Sequence, residues 1–110
     1  MRIAYNKLVR DRIPEIIAED GGKKADTDIL SDADFLKLAD AKLSEELNEY
    51  LASGEVEELA DLMEVIYACA GARGCSKEQL EEIRKKKAEK RGGFEKHILL
   101  KAVYQPEEQA

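Results

Sequence analysis

Apolar residues recur at helical spacing in three long stretches, and glycines divide them. Ser31, with Asp34 three residues on, approximates a capping box. It predicts a helix to about Ala52, broken by Ser53-Gly54. A second helix is predicted from about Glu55 to Arg73, with Gly74 as its stop. Ser76 and Gln79 form the next capping box and open a helix to about Arg91, ended by Gly92-Gly93. Ahead of these, Asp11 is placed to cap a short helix over about Arg12–Glu19. Pro14 falls in its first turn, where no intrahelical N–H is needed, and Ile13, Ile16 and Ile17 make its apolar face. Residues 1–12 predict a short extended segment. Residues 94–104 alternate poorly and predict a short strand, placed beside residues 2–9. The expected fold is all-α, an antiparallel helix bundle with short extended segments near the termini. Residues 1–104 form one domain and residues 105–110 a solvated tail.

The middle helix is apolar on nearly all sides. Leu59, Leu62, Met63, Ile66 and Ala70 make one apolar side, and Val65, Ala68, Cys69 and Ala72 another. One antiparallel neighbour covers only one side of a helix. The bundle is therefore expected to be completed by oligomerisation, as a homodimer or homotetramer.

Composition narrows the function. Charged residues make up 38% of the 110 residues, well above the usual share of about 25%. The net charge of -6 argues against a nucleic-acid polymer as partner, because such binding relies on neutralising phosphates. No apolar run approaches the length of a membrane span, and the N-terminus lacks the apolar core of a secretory signal. The two cysteines, Cys69 and Cys75, and the single histidine, His97, make neither a disulfide framework nor a zinc motif. These features predict a reduced, cytoplasmic setting without a membrane partner.

The helical wheels break their own rule at a few places. In the first long helix Phe35, Leu36, Ala39, Leu43, Leu47, Tyr50 and Leu51 share one broad face. Glu46 falls inside that arc, Glu49 lies on its border and Glu45 points the other way. In the next helix Glu58 and Asp61 head the stripe that continues as Val65, Ala68, Cys69 and Ala72, while Glu57 and Glu64 take the polar face. Acidic residues in a first turn also suit the helix dipole, and a single E-x-x-E carries no signal. Here, however, E-x-x-E and E-x-x-D sit on core-side arcs of helices joined by a short turn, so both pairs project toward one seam. Clustered carboxylates repel unless they take up protons or hold a cation. Oxygen-only ligands suit Mg²⁺, with Mn²⁺ as the other possibility.

The third long helix has the opposite anomaly. Its apolar stripe starts at Leu80 and Ile83 and continues as Arg84, Lys87 and Arg91. Basic residues near a helix end also suit its dipole. Together with Lys7, Arg10 and Arg12 they are candidate phosphate ligands facing a metal-loaded carboxylate cluster.

The run E-E-x-x-E at Glu45–Glu49 followed by E-x-x-D at Glu58–Asp61 resembles the signature of the MazG-like all-α nucleoside triphosphate pyrophosphatases. The opening Y-N-K-L-V-R-D-R-I-P-E-I-I (Tyr5–Ile17) and the late K-R-G-G-F (Lys90–Phe94) are similar to a branch of that group labelled phosphoribosyl-ATP pyrophosphatase-like. The resemblance covers about residues 5–100. It implies Mg²⁺-dependent cleavage of a nucleoside triphosphate between the α and β phosphates, giving a nucleoside monophosphate and pyrophosphate. It also implies assembly as dimers or tetramers. The metal ligands it implies are Glu46, Glu49, Glu58 and Asp61, the same four that the wheels select. Glu46 is expected to orient or deprotonate the attacking water, with Glu45 in a secondary catalytic role. Phosphate binding falls to Lys7, Arg10, Lys87 and Arg91, with Arg12 and Arg84 behind them. The connection between the two acidic pairs has eight positions, Tyr50–Glu57, and leaves little material for a base pocket. The alternative expectation is a non-catalytic protein, either an oligomeric helical interaction module or a nucleotide binder without turnover.

Overall fold

In the computed structural model, which describes residues 1–107, the chain forms four helices and no strand among the described residues. They are α1 (Ile13–Ala18), α2 (Asp32–Ser53), α3 (Val56–Ala72) and α4 (Lys77–Arg91). The local signals explain most of the boundaries. The Ser31 hydroxyl accepts from the Asp34 N–H and caps α2. Gly54 ends α2 with φ of 70°, a left-handed conformation that a side chain would resist. At α4 both halves of the capping box form: Gln79 N–H donates to the Ser76 hydroxyl, and Ser76 N–H donates to the Gln79 side chain. The short first helix departs from expectation. Its N-cap is Arg12 rather than Asp11, and no side chain caps it. Pro14 in the first turn and the Arg12 to Glu15 ion pair support it instead.

Only Gly54 and Glu55 separate α2 from α3, and the helices pack as an antiparallel hairpin. The start of α2 meets the end of α3. There Ala39, Val65 and Cys69 form the buried core, with Leu8, Phe35 and Leu43 packed against it. Arg73 clamps the same end: its guanidinium donates from both Nη atoms to the Asp40 carboxylate, at 3.2 and 3.0 Å. At the other end, the close of α2 and the opening of α3 bring their acidic pairs together. α4 touches α3 but not α2. Lys77 stacks over the Tyr67 ring, 5.0 Å from its centroid, at the α3–α4 junction.

The predicted strand over residues 94–104, beside residues 2–9, is not formed; both stretches lack helix and strand. Each carries exposed apolar side chains, and neither has a neighbour offering a free strand edge. Of the tail expected at residues 105–110, the last three residues lie outside the described part.

The covered side of α3 is the one bearing Val65 and Cys69; Leu59, Met63 and Ile66 on the other side are exposed. No large side chain among the described residues is fully buried. The radius of gyration is 20.6 Å, where a compact chain of this length would have about 13 Å. The chain exposes 10317 Å², against roughly 6,100 Å² for a compact monomer of its mass. No helix among the described residues is long and apolar enough to cross a membrane.

Candidate metal centre

Glu46, on the third-last turn of α2, is the one buried charged side chain among the described residues, with 8% of its surface exposed. It is buried because the hydrophobic arc of α2 runs through its position, as the wheel predicts, and α3 packs on that arc. Glu58 lies in the first turn of α3 and Asp61 one turn on, both on the side facing α2. One carboxylate oxygen from each of Glu46, Glu58 and Asp61 lies within 4.8 Å of the other two. Three full charges at that spacing repel by about 3 kcal/mol per pair at an effective dielectric near 20, and by less where a group is half-exposed.

The two oxygens of Glu46 have different surroundings. Oε1 lies 3.4 Å from the ammonium of Lys42, one turn earlier on α2. Oε2 is buried without a hydrogen-bond partner. An orphaned carboxylate oxygen is costly in a protein interior. Burial and the nearby Glu49 carboxylate push the Glu46 carboxyl above its usual range, and Lys42 only partly offsets them.

Of the four expected metal ligands, three converge. Glu49 stays exposed and outside the triad, although its charge acts on Glu46. Its border position on the wheel accounts for this, since it faces partly away from α3. Glu45 is half-buried on the adjacent side of α2, 3.6 Å from the Lys42 ammonium. Lys42 thus bridges both glutamates of the E-E pair, and its own side chain is only 16% exposed. Sequence reading does not single it out, because a lysine four residues before a glutamate is an ordinary helix-surface pair. Its burial comes from the N-terminal segment, where Asn6, Lys7 and Leu8 close a cavity of about 160 Å³ with Leu38, Ala41, Lys42 and Glu45.

The candidate phosphate ligands divide into groups. Arg10 reaches the centre, where its Nη2 donates to Asp61 Oδ1 at 2.5 Å. Lys7 lines the cavity beside Lys42 and lies 5.9 Å from the Tyr5 ring centroid. Arg12 pairs with Glu15, and Arg84 with Glu81, each on its own helix or cap. Lys87 and Arg91 are exposed on α4 and make no ion pair among the described residues. Arg10 therefore stands at the carboxylates, whereas none of the α4 cations pairs with them among the described residues.

Compared with models of protein families, with curated proteins and with solved structures, the chain finds no match. What the site can do rests on its own geometry: a seam of hard oxygen donors, one of them buried and orphaned, with cations along its rim. The donor set could hold a metal ion and contains no nitrogen or sulfur that would favour a soft one.

Proposed function

We propose that the chain is a Mg²⁺-dependent nucleoside triphosphate pyrophosphatase. The observation that carries this reading is the convergence of Glu46, Glu58 and Asp61 around the unpartnered Oε2 of Glu46. A triad of carboxylates with one oxygen left bare fits a hard divalent cation, Mg²⁺ or in its place Mn²⁺. Such an ion supplies charge neutralisation for phosphate oxygens and carboxylates together. Glu58 and Asp61 from α3 and Glu46 from α2 would hold it.

The chain's own residues then have distinct tasks. Glu46 orients the attacking water and accepts its proton. The oxygen of that water forms a bond to the α phosphorus as the bond from that phosphorus to the α–β bridging oxygen breaks. The monophosphate and pyrophosphate leave as the two products. Lys42 keeps the Glu46 carboxylate turned into the seam. Arg10 and Lys7 lie on the rim, where a polyphosphate would meet them. Arg10, which donates to Asp61, would be free to bind phosphate if Asp61 held the cation. The working unit in this reading is a homodimer or homotetramer in the cytoplasm, and Lys87 and Arg91 act across subunits.

The test is a panel of ordinary and damaged nucleoside triphosphates with Mg²⁺, scored separately for pyrophosphate and orthophosphate. Pyrophosphate release by the native chain, lost in Glu46→Gln, is the expected result. Nucleotide binding without turnover would instead favour a regulator, and Mg²⁺-independent phosphate release would exclude the proposed centre.

A further inference from the structure

Two parts of the chain lack a partner and complement each other. The first is the outer stripe of α3, where Leu59, Met63 and Ile66 stand at i, i+4 and i+7, with Met63 50% exposed. The second is the arm that follows α4. Phe94 is 96% exposed, and Ile98, Leu100 and Tyr104 are each at least 74% exposed. Among the described residues no hydrogen bond joins the arm to any helix, and its one backbone bond is internal, from His97 N–H to the Phe94 carbonyl.

Charge separates the two parts in the same way. Residues 45–64 carry eight acidic groups and no Lys or Arg, whereas residues 84–101 carry eight Lys or Arg and two acidic groups. No ion pair links the two segments among the described residues. Within one chain α4 meets α3 but not α2, and the molecule stretches over 80 Å.

Area points to what covers these surfaces. The excess over a compact monomer, roughly 4,000 Å² per chain, far exceeds the ~800 Å² that each partner gives to an ordinary interface. Counted over two chains it is roughly 8,000 Å², more than the about 2,000–5,000 Å² in total common in obligate assemblies, which resemble a domain core cut in half. One chain carries both the acidic, apolar-striped hairpin and the basic, apolar arm. A two-fold pair satisfies both at once, because each surface of one copy meets the other kind of surface on its mate.

We infer that the occupant of the outer α3 stripe is a second copy of this chain, which lays its 94–104 arm across Leu59, Met63 and Ile66 in a reciprocal exchange. The basic end of α4 comes with the arm and lies beside the acidic α2–α3 turn. The exchange gives the assembly of the proposed enzyme a specific form. It does not depend on the chemistry, and its test reads mass rather than activity.

The experiment uses two full-length variants, Leu100→Asp in the arm and Met63→Asp in the stripe. Light scattering at tens of micromolar should give at least two chains for the native protein. Each variant alone should associate at least about thirtyfold more weakly, the scale of losing an interface anchor. Mixing them should recover part of the lost affinity, because one of the two junctions, the intact arm of Met63→Asp on the intact stripe of Leu100→Asp, is whole in the mixed dimer and in neither variant alone. If either variant is insoluble alone, the two are co-expressed with different tags, and recovery of a soluble heterodimer is then the expected result. A native monomer, variants that dimerise as well as the native chain, or a mixture or co-expression without recovery would each overturn the exchange. The last outcome would mean that the arm folds back on its own chain.

Discussion

The Lys42 ammonium stands 3.4 Å from Oε1 of Glu46, while Oε2 of the same carboxylate is buried without a partner. The carboxylate is thus held from one side and bare on the other. Removing the holder while keeping the volume should leave Glu46 present but poorly aimed. In Lys42→Met the turnover number is expected to fall about 10–100-fold, the usual cost of losing a group that orients a metal ligand. KM should change much less, and Lys42→Arg should recover part of the loss. Steady-state pyrophosphate release checks this. Native turnover in Lys42→Met would show that the pair is an ordinary surface contact.

The triad itself makes a sharper distinction. Glu46→Gln and Asp61→Asn should each lower pyrophosphatase activity by about 100-fold or more while the helical circular dichroism stays native, since losing a positioned base or ligand typically costs 10²–10⁴. Glu45→Gln should be milder, and Glu64→Gln, on the exposed face of α3, milder still. Glu49→Gln should fall between, because Glu49 influences Glu46 without joining the triad. Equal damage from Glu64→Gln and Glu46→Gln would remove the distinction between seam and surface.

Divalent cation should stabilise the fold, because the triad exists only when α2 and α3 are paired. At Mg²⁺ about tenfold above its dissociation constant the gain is about 1.4 kcal/mol, or roughly 5–10 °C in Tm for a chain of this size. Thermal melts with and without Mg²⁺ measure it, and the shift should vanish in Asp61→Asn. An unchanged native Tm at millimolar Mg²⁺ would contradict the metal centre.

At the far end of the hairpin, pH dependence follows from the Asp40–Arg73 clamp. The hydrogen bonds from Arg73 hold the Asp40 carboxyl below its usual value of 3.8, with the arginine's charge adding to them. A depressed carboxyl stabilises the fold above its unfolded pKa, and the contribution disappears as pH falls through the folded value. Asp40→Asn should therefore lower Tm at pH 7 and have little effect near pH 2. Equal effects at both values would assign the loss to packing rather than charge.

Local chemistry made much of this legible. The Ser76–Gln79 box and Gly54 mark helix ends by contacts within a few residues. The wheel placed Glu46, Glu58 and Asp61 on the α2–α3 seam because the two helices are joined too tightly to pack any other way. Contacts distant in sequence were not legible. Lys42 is half-buried where residues 6–8 lie along α2, and although the sequence marks Arg10 as a cation facing the carboxylates, it does not name its partner Asp61, 51 positions away. The arm at residues 94–104 has strand-like composition but no adjacent edge to pair with. Composition alone does not specify a neighbour.

The most direct measurement follows the oxygen of the attacking water. A nucleoside triphosphate is turned over with Mg²⁺ in ¹⁸O-labelled water, and the products are separated by mass. Label in the nucleoside monophosphate, with unlabelled pyrophosphate, is the expected result. Label in pyrophosphate, release of orthophosphate, or no turnover of any nucleotide would contradict a pyrophosphatase centred on Glu46, Glu58 and Asp61.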